Sequence, residues 1–89
     1  MKFVLNKCYG GFRLPQGFLE THPTADEWDI RRDDIELIAY CEEHPDELDF
    51  GYTHLQVVEI SDFATDYEIT EYDGAESLVY VVDGRLNWA

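Results

Sequence analysis

The side chains best placed for covalent chemistry lie in Lys7-Cys8-Tyr9-Gly10-Gly11-Phe12. A thiol at a strand end, beside Lys7 and ahead of a flexible Gly-Gly bend, has the setting of an activated nucleophile, because a neighbouring cation favours the thiolate. No base or oxyanion donor can be named around it, and a strand-end cysteine is more often a core filler. Gly10-Gly11 could approach a phosphate, but no G-x-G-x-x-G or Walker pattern follows. His22, His44, His54, Cys8 and Cys41 are possible metal ligands, yet none stands at Cys-x-x-Cys or His-x-x-x-His spacing. Asp62 to Glu71 lacks the regular oxygen spacing and central glycine of a calcium loop. The adjacent carboxylates Asp33/Asp34 and Glu42/Glu43 would point in different directions on a helix, so they do not form acid–base pairs. These residues predict a protein that is not an enzyme and has no cofactor or metal.

What remains is charge. Asp33 to Asp83 holds sixteen Asp and Glu and no Lys or Arg, and five of the six basic residues precede it. The net charge is −14 over 89 residues, well beyond the magnitude of about 2–8 usual for a small domain. Such a surface repels nucleic acid and anionic membranes and attracts basic protein surfaces. Folded together, these acids would give an extended carboxylate array able to imitate the phosphate line of a nucleic acid. The competing explanation is that acidity only confers solubility.

The same stretch carries Ile35, Leu37, Ile38, Leu55, Val57, Val58, Ile60, Ile69, Leu78, Val79, Val81 and Val82, so it predicts a folded segment and not an acidic tail. Phe3 to Tyr9 reads as a first strand, and Phe12-Arg13-Leu14 as a short extended piece stopped by Pro15. Gln16 to Ile30 shows no period and reads as a loop that is either functional or packed by Phe18, Leu19 and Trp28. The helix begins with Asp33 as N-cap and Glu36 completing a capping box, places Ile35, Ile38 and Cys41 on one stripe beside Leu37, and ends near Glu43 ahead of Pro45. Asp46 to Asp49 can add one turn. Leu55 to Ile60 is a strand whose Val57-Val58 pair suggests burial on both faces. Tyr67 to Tyr72 and Ser77 to Val82 form a hairpin about Asp73-Gly74, and Asp83-Gly84 turns the chain into Arg85 to Trp88. One domain spanning 1–89 is expected: α+β, a strand, a loop, one main helix and a β-meander, with the helix packed on a three- to five-stranded, mainly antiparallel sheet.

Two cysteines, an N-terminus without a signal-peptide pattern and no apolar run near membrane length predict a cytosolic protein with reduced thiols. Asn6-Lys7-Cys8-Tyr9-Gly10-Gly11-Phe12 resembles the opening of a family of small uncharacterised proteins of bacteria and their phages. Arg32-Asp33-Asp34-Ile35, Leu55 to Ile60, Tyr67 to Glu76 and the late Trp88 resemble further stretches of that family, in the same order over about half of the chain. Family members often carry a longer segment after the first strand, reduced here to Pro15–Ile30. The resemblance implies a mobile-element origin, with the bacterial host cytoplasm as compartment, and supplies no activity.

Together these readings predict a stoichiometric inhibitor that occupies the basic nucleic-acid-binding surface of a host defence protein, such as a CRISPR effector or restriction enzyme, without binding nucleic acid or membrane itself. Glu36, Glu42, Glu43, Asp46 and Glu47 are the expected contact acids, with Tyr40, Tyr52 and Trp28 as aromatic anchors. The alternatives are a small-ligand or regulatory module using Cys8, Tyr9, Gly10, Gly11 and Phe12 as a pocket wall, or a homo-oligomeric scaffold, for instance a homodimer, joined through an edge strand.

Overall fold

The computed structural model describes residues 1–89 and is an α+β fold with two three-stranded antiparallel sheets. In chain order the elements are β1 (Lys2–Asn6), α1 (Gln16–Thr21), α2 (Ile35–Glu43), a 3₁₀ turn (Pro45–Glu47), β2 (Asp49–Phe50), β3 (Thr53–Glu59), β4 (Asp66–Tyr72), β5 (Ala75–Val82) and β6 (Arg85–Trp88). The first sheet has the order β1-β3-β2 and the second β4-β5-β6.

The alternation of side chains across the β1–β3 ribbon gives it two apolar faces. Val4, Leu55 and Val57 join Phe12, Leu14, Phe18, Leu37 and Cys41 on the helical side. Phe3, Leu5, Val58 and Ile60 pack with Leu78 of β5 on the other. The ribbon is therefore the middle of three layers, which is the physical reason for adjacent valines at 57 and 58.

Several expectations are corrected. The helix packs on β1 and β3, not on the meander, and β3 pairs with β1 and β2, so the meander is a separate sheet of β4, β5 and β6. The first strand stops at Asn6, and Phe12 to Leu14 is not a strand. The expected loop from Gln16 contains α1, which buries Phe18. Asp34, not Asp33, is the N-cap of α2: its Oδ1 accepts from the Leu37 peptide N–H at 2.9 Å. Leu37 thus occupies the third helical position, which excludes the Asp33–Glu36 capping box. Ile35 is 82% exposed, and Leu37 with Cys41 makes the buried stripe. The helix ends at Glu43 and a single 3₁₀ turn follows from Pro45 to Glu47, as Pro45 requires.

Both Asp-Gly turns have positive φ at both central residues, 54° and 89° at Asp73-Gly74 and 52° and 75° at Asp83-Gly84, the tight primed-turn geometry that matches strand twist. No helix is long and apolar enough to cross a membrane.

Candidate interaction site

The expected contact acids on α2 and the 3₁₀ turn after it do not share one environment. Glu36 lies 3.1 Å from His22 Nε2, which ties α1 to α2. Glu42 accepts from Lys2 Nζ at 2.8 Å, and the pairing raises the lysine's pKa. Glu47 accepts from the Tyr40 hydroxyl at 2.6 Å and lies 3.1 Å from His44 Nδ1. That hydrogen bond pushes the Tyr40 phenol up to about 12. Tyr40 is half-buried, edge-on to Phe18 and against His44, so it is a packing residue and not a free anchor. Glu43 and Asp46 are exposed and have no cationic partner within ion-pair distance. Tyr52 and Trp28 are exposed, 74% and 88%, but both border the Gly10 turn and not the helix.

The Cys8–Phe12 segment is held by the most buried polar cluster in the molecule. Asn6 is fully buried; its Nδ2 donates to the carbonyls of Cys8 and Gly74, and its Oδ1 accepts from the peptide N–H groups of Cys8 and His54. Glu76, 7% exposed, accepts from the Asn6 peptide N–H at 2.8 Å and from both Arg32 Nη atoms, the Nη2 bond at 2.8 Å. The Arg32 guanidinium lies over the Phe12 ring, 3.6 Å from its centroid. The Val4 peptide N–H donates to the Arg32 carbonyl. Together these bonds occupy the free edge of β1, which would otherwise present unpaired backbone. Asn6, Phe12, Arg32, Gly74 and Glu76 come from segments distant in the chain and meet at one seam.

Lys7 Nζ donates to the carbonyls of Glu76 and Ala89. Cys8 is half-buried and Cys41 buried, neither in a disulfide, and burial pushes the Cys41 thiol up to about 11. No three His, Cys, Asp or Glu side chains converge on a common point. Clefts do surround the Gly10-Gly11 turn; one of about 340 Å³ lies between Gly10–Phe12, Trp28 and Glu71.

Sequence reasoning missed the outward face of the second sheet. The register places Glu68, Val79 and Trp88 in one cross-strand row, and Asp66, Val81 and Leu86 in the next. Leu86 and Trp88 are 69% and 66% exposed. The signal was present as period-two alternation, but not which face would find a partner layer. Comparison with known proteins finds no matching family model, no matching curated protein and no matching solved structure.

Proposed function

We propose that this chain is a non-enzymatic acidic protein that binds one-to-one to the basic nucleic-acid-binding surface of another protein. In the narrower form that the family resemblance suggests, it is a phage- or mobile-element-encoded inhibitor of a CRISPR effector or restriction enzyme in a bacterial host. The supporting observation is the imbalance of charges at the surface. Eight of the twenty carboxylates lie within 4.0 Å of an ammonium, guanidinium or imidazole nitrogen. Eleven of the others are exposed; Asp34, the half-buried twelfth, caps α2.

The chain's own cations are largely engaged. Lys2, Arg13, Arg31 and Arg32 each pair with a carboxylate, and Lys7 is held by carbonyls. Little positive surface is left to oppose a cationic partner, and the uncompensated field accelerates encounter with one. The free acids are spread over the helical layer (Glu43, Asp46) and the meander (Asp66, Glu68, Glu71), so they do not make a single ridge along α2.

The decisive measurement titrates the protein into a CRISPR effector or a restriction enzyme and follows target-DNA binding by fluorescence anisotropy. Loss of DNA binding at equimolar protein, reversed by salt, supports the reading. Unchanged DNA binding, with no complex in sedimentation at low salt, rejects it for that target. The clefts around Gly10-Gly11 favour a second reading, a small-ligand module; a salt-insensitive thermal shift with a metabolite, abolished by Trp28→Ala, would favour it.

A further inference from the structure

We infer that the outer face of the β4-β5-β6 sheet is the docking surface for the cationic partner, and that it selects arginine over lysine. The inference rests on the acidic-binder reading and names its surface. The inner face of this sheet is used: Leu78 is fully buried against Phe3 and Leu5 of β1, with Ile69 and Tyr80 packed beside it. The outer face has no layer over it. Its two rows run from acid to aliphatic to large apolar side chain, Glu68–Val79–Trp88 and Asp66–Val81–Leu86. Tyr72, 83% exposed, is on the same face two residues beyond Thr70.

Charge decides what covers this face. Asp66 and Glu68 are exposed with no cation within ion-pair distance. The only basic residue of the meander, Arg85, pairs with Val82 in a row that belongs to the opposite face. A second copy of the chain would bring another charge of −14, with its own Asp66 and Glu68, against these acids; the repulsion disfavours that occupant. A cationic protein surface meets no such barrier. Arginine fits better than lysine because the face offers both of the contacts that guanidinium makes well. The carboxylates can accept paired N–H bonds, and the indole and phenol rings can stack on the weakly hydrated plane, while the valines take the aliphatic stem. On α2 and the 3₁₀ turn after it, by contrast, Glu36, Glu42 and Glu47 already have partners within the chain.

The test uses the full chain, ¹⁵N-labelled, at low salt. The probe is a synthetic peptide alternating arginine and valine, with the lysine–valine peptide as control. The two indole N–H signals report separately on Trp88 and Trp28. The expected result is movement of Trp88, Glu68, Val79 and Val81 signals with Trp28 still, and affinity about tenfold lower for the lysine peptide. Trp88→Ala, and the pair Asp66→Asn with Glu68→Gln, should each weaken binding about tenfold or more with the urea midpoint nearly unchanged. Shifts confined to Glu43 and Asp46 would overturn this surface and leave the acidic-binder reading standing. Failure of both peptides to bind anywhere would overturn both readings. Equal affinity for the two peptides would overturn the arginine preference, and a sedimenting dimer that protects Trp88 would assign the face to a second copy.

Discussion

Glu76 is the one buried carboxylate, and Arg32 and the Asn6 peptide supply its hydrogen bonds. Truncation would strand a half-buried guanidinium and a strand-edge N–H. Glu76→Ala is therefore expected to cost about 3–5 kcal/mol in urea unfolding, while Arg32→Met with Glu76→Leu should recover a good part of that loss by replacing two charges with apolar volume. Cys41 gives a pH signature. Its thiol holds its proton up to about 11 in the folded chain against 9.0 ordinarily. The unfolded chain releases that proton first, so this contribution to stability is complete below pH about 9 and is lost as pH rises towards about 11. The urea midpoint should fall over that window, and Cys41→Val should flatten the fall. Its burial should also leave it unreactive to alkylating reagents at neutral pH in the native state. At the acid end, Asp33 and Asp62 are held below the usual carboxylate range by hydrogen bonds from Arg31 and the N-terminal ammonium. Their contributions are present above about pH 4 and are lost as pH falls below it.

At the scale of elements, α2 was legible from Asp33-Asp34 ahead of an apolar run and from Pro45 beyond it, but which aspartate caps was not. Arg31 decides: it takes both Asp33 carboxylate oxygens, leaving Asp34 for Leu37. Asp34→Ala should cost about 1 kcal/mol by thermal or urea unfolding, and Asp33→Ala less, since its pair is near the surface. The short helix α1 was not legible. It has six residues, a glycine and no side-chain cap, and such a segment is helical only because tertiary packing of Phe18 holds it. Its Gly17 allows the Tyr40 hydroxyl to approach more closely than any Cβ would permit. The hairpin turns were legible because Asp-Gly has few other uses, yet the two differ. A Cβ on Gly84 meets nothing, whereas one on Gly74 would lie 2.6 Å from the Tyr9 carbonyl and 2.7 Å from the Gly11 nitrogen. Gly84→Ala should cost about 1–2 kcal/mol from backbone strain alone; Gly74→Ala should cost clearly more, and denaturant midpoints compare them directly.

For the whole molecule, the α+β class and antiparallel pairing followed from local patterns, but the division into two sheets did not. Alternation tells which residues share a face, not which other element will cover it. The Val57-Val58 pair pointed to two covered faces without naming the cover. The candidate surface on α2 was drawn from chain proximity, and the ion pairs of Glu36 and Glu42 depend on residues distant in the chain. The unmatched acids also bear on stability: raising salt from about 20 mM to about 500 mM should raise the melting temperature by screening self-repulsion, while weakening any complex with a cationic protein. A protein stabilised by lower salt would contradict this charge balance.

The place of β1 in the middle layer has a kinetic consequence. Its partners in β3 lie some fifty residues away, Val4 opposite Val57 and Phe3 opposite Val58, whereas β4, β5 and β6 pair through two-residue turns. Closing the long loop is the slow step of such a chain. The meander should form early and wait, its inner face uncovered, until the N-terminal strand slides in between the two layers. Until then Leu78 and Ile69 are open to water and to other chains, so aggregation during refolding should be most severe in variants that delay the arrival of β1.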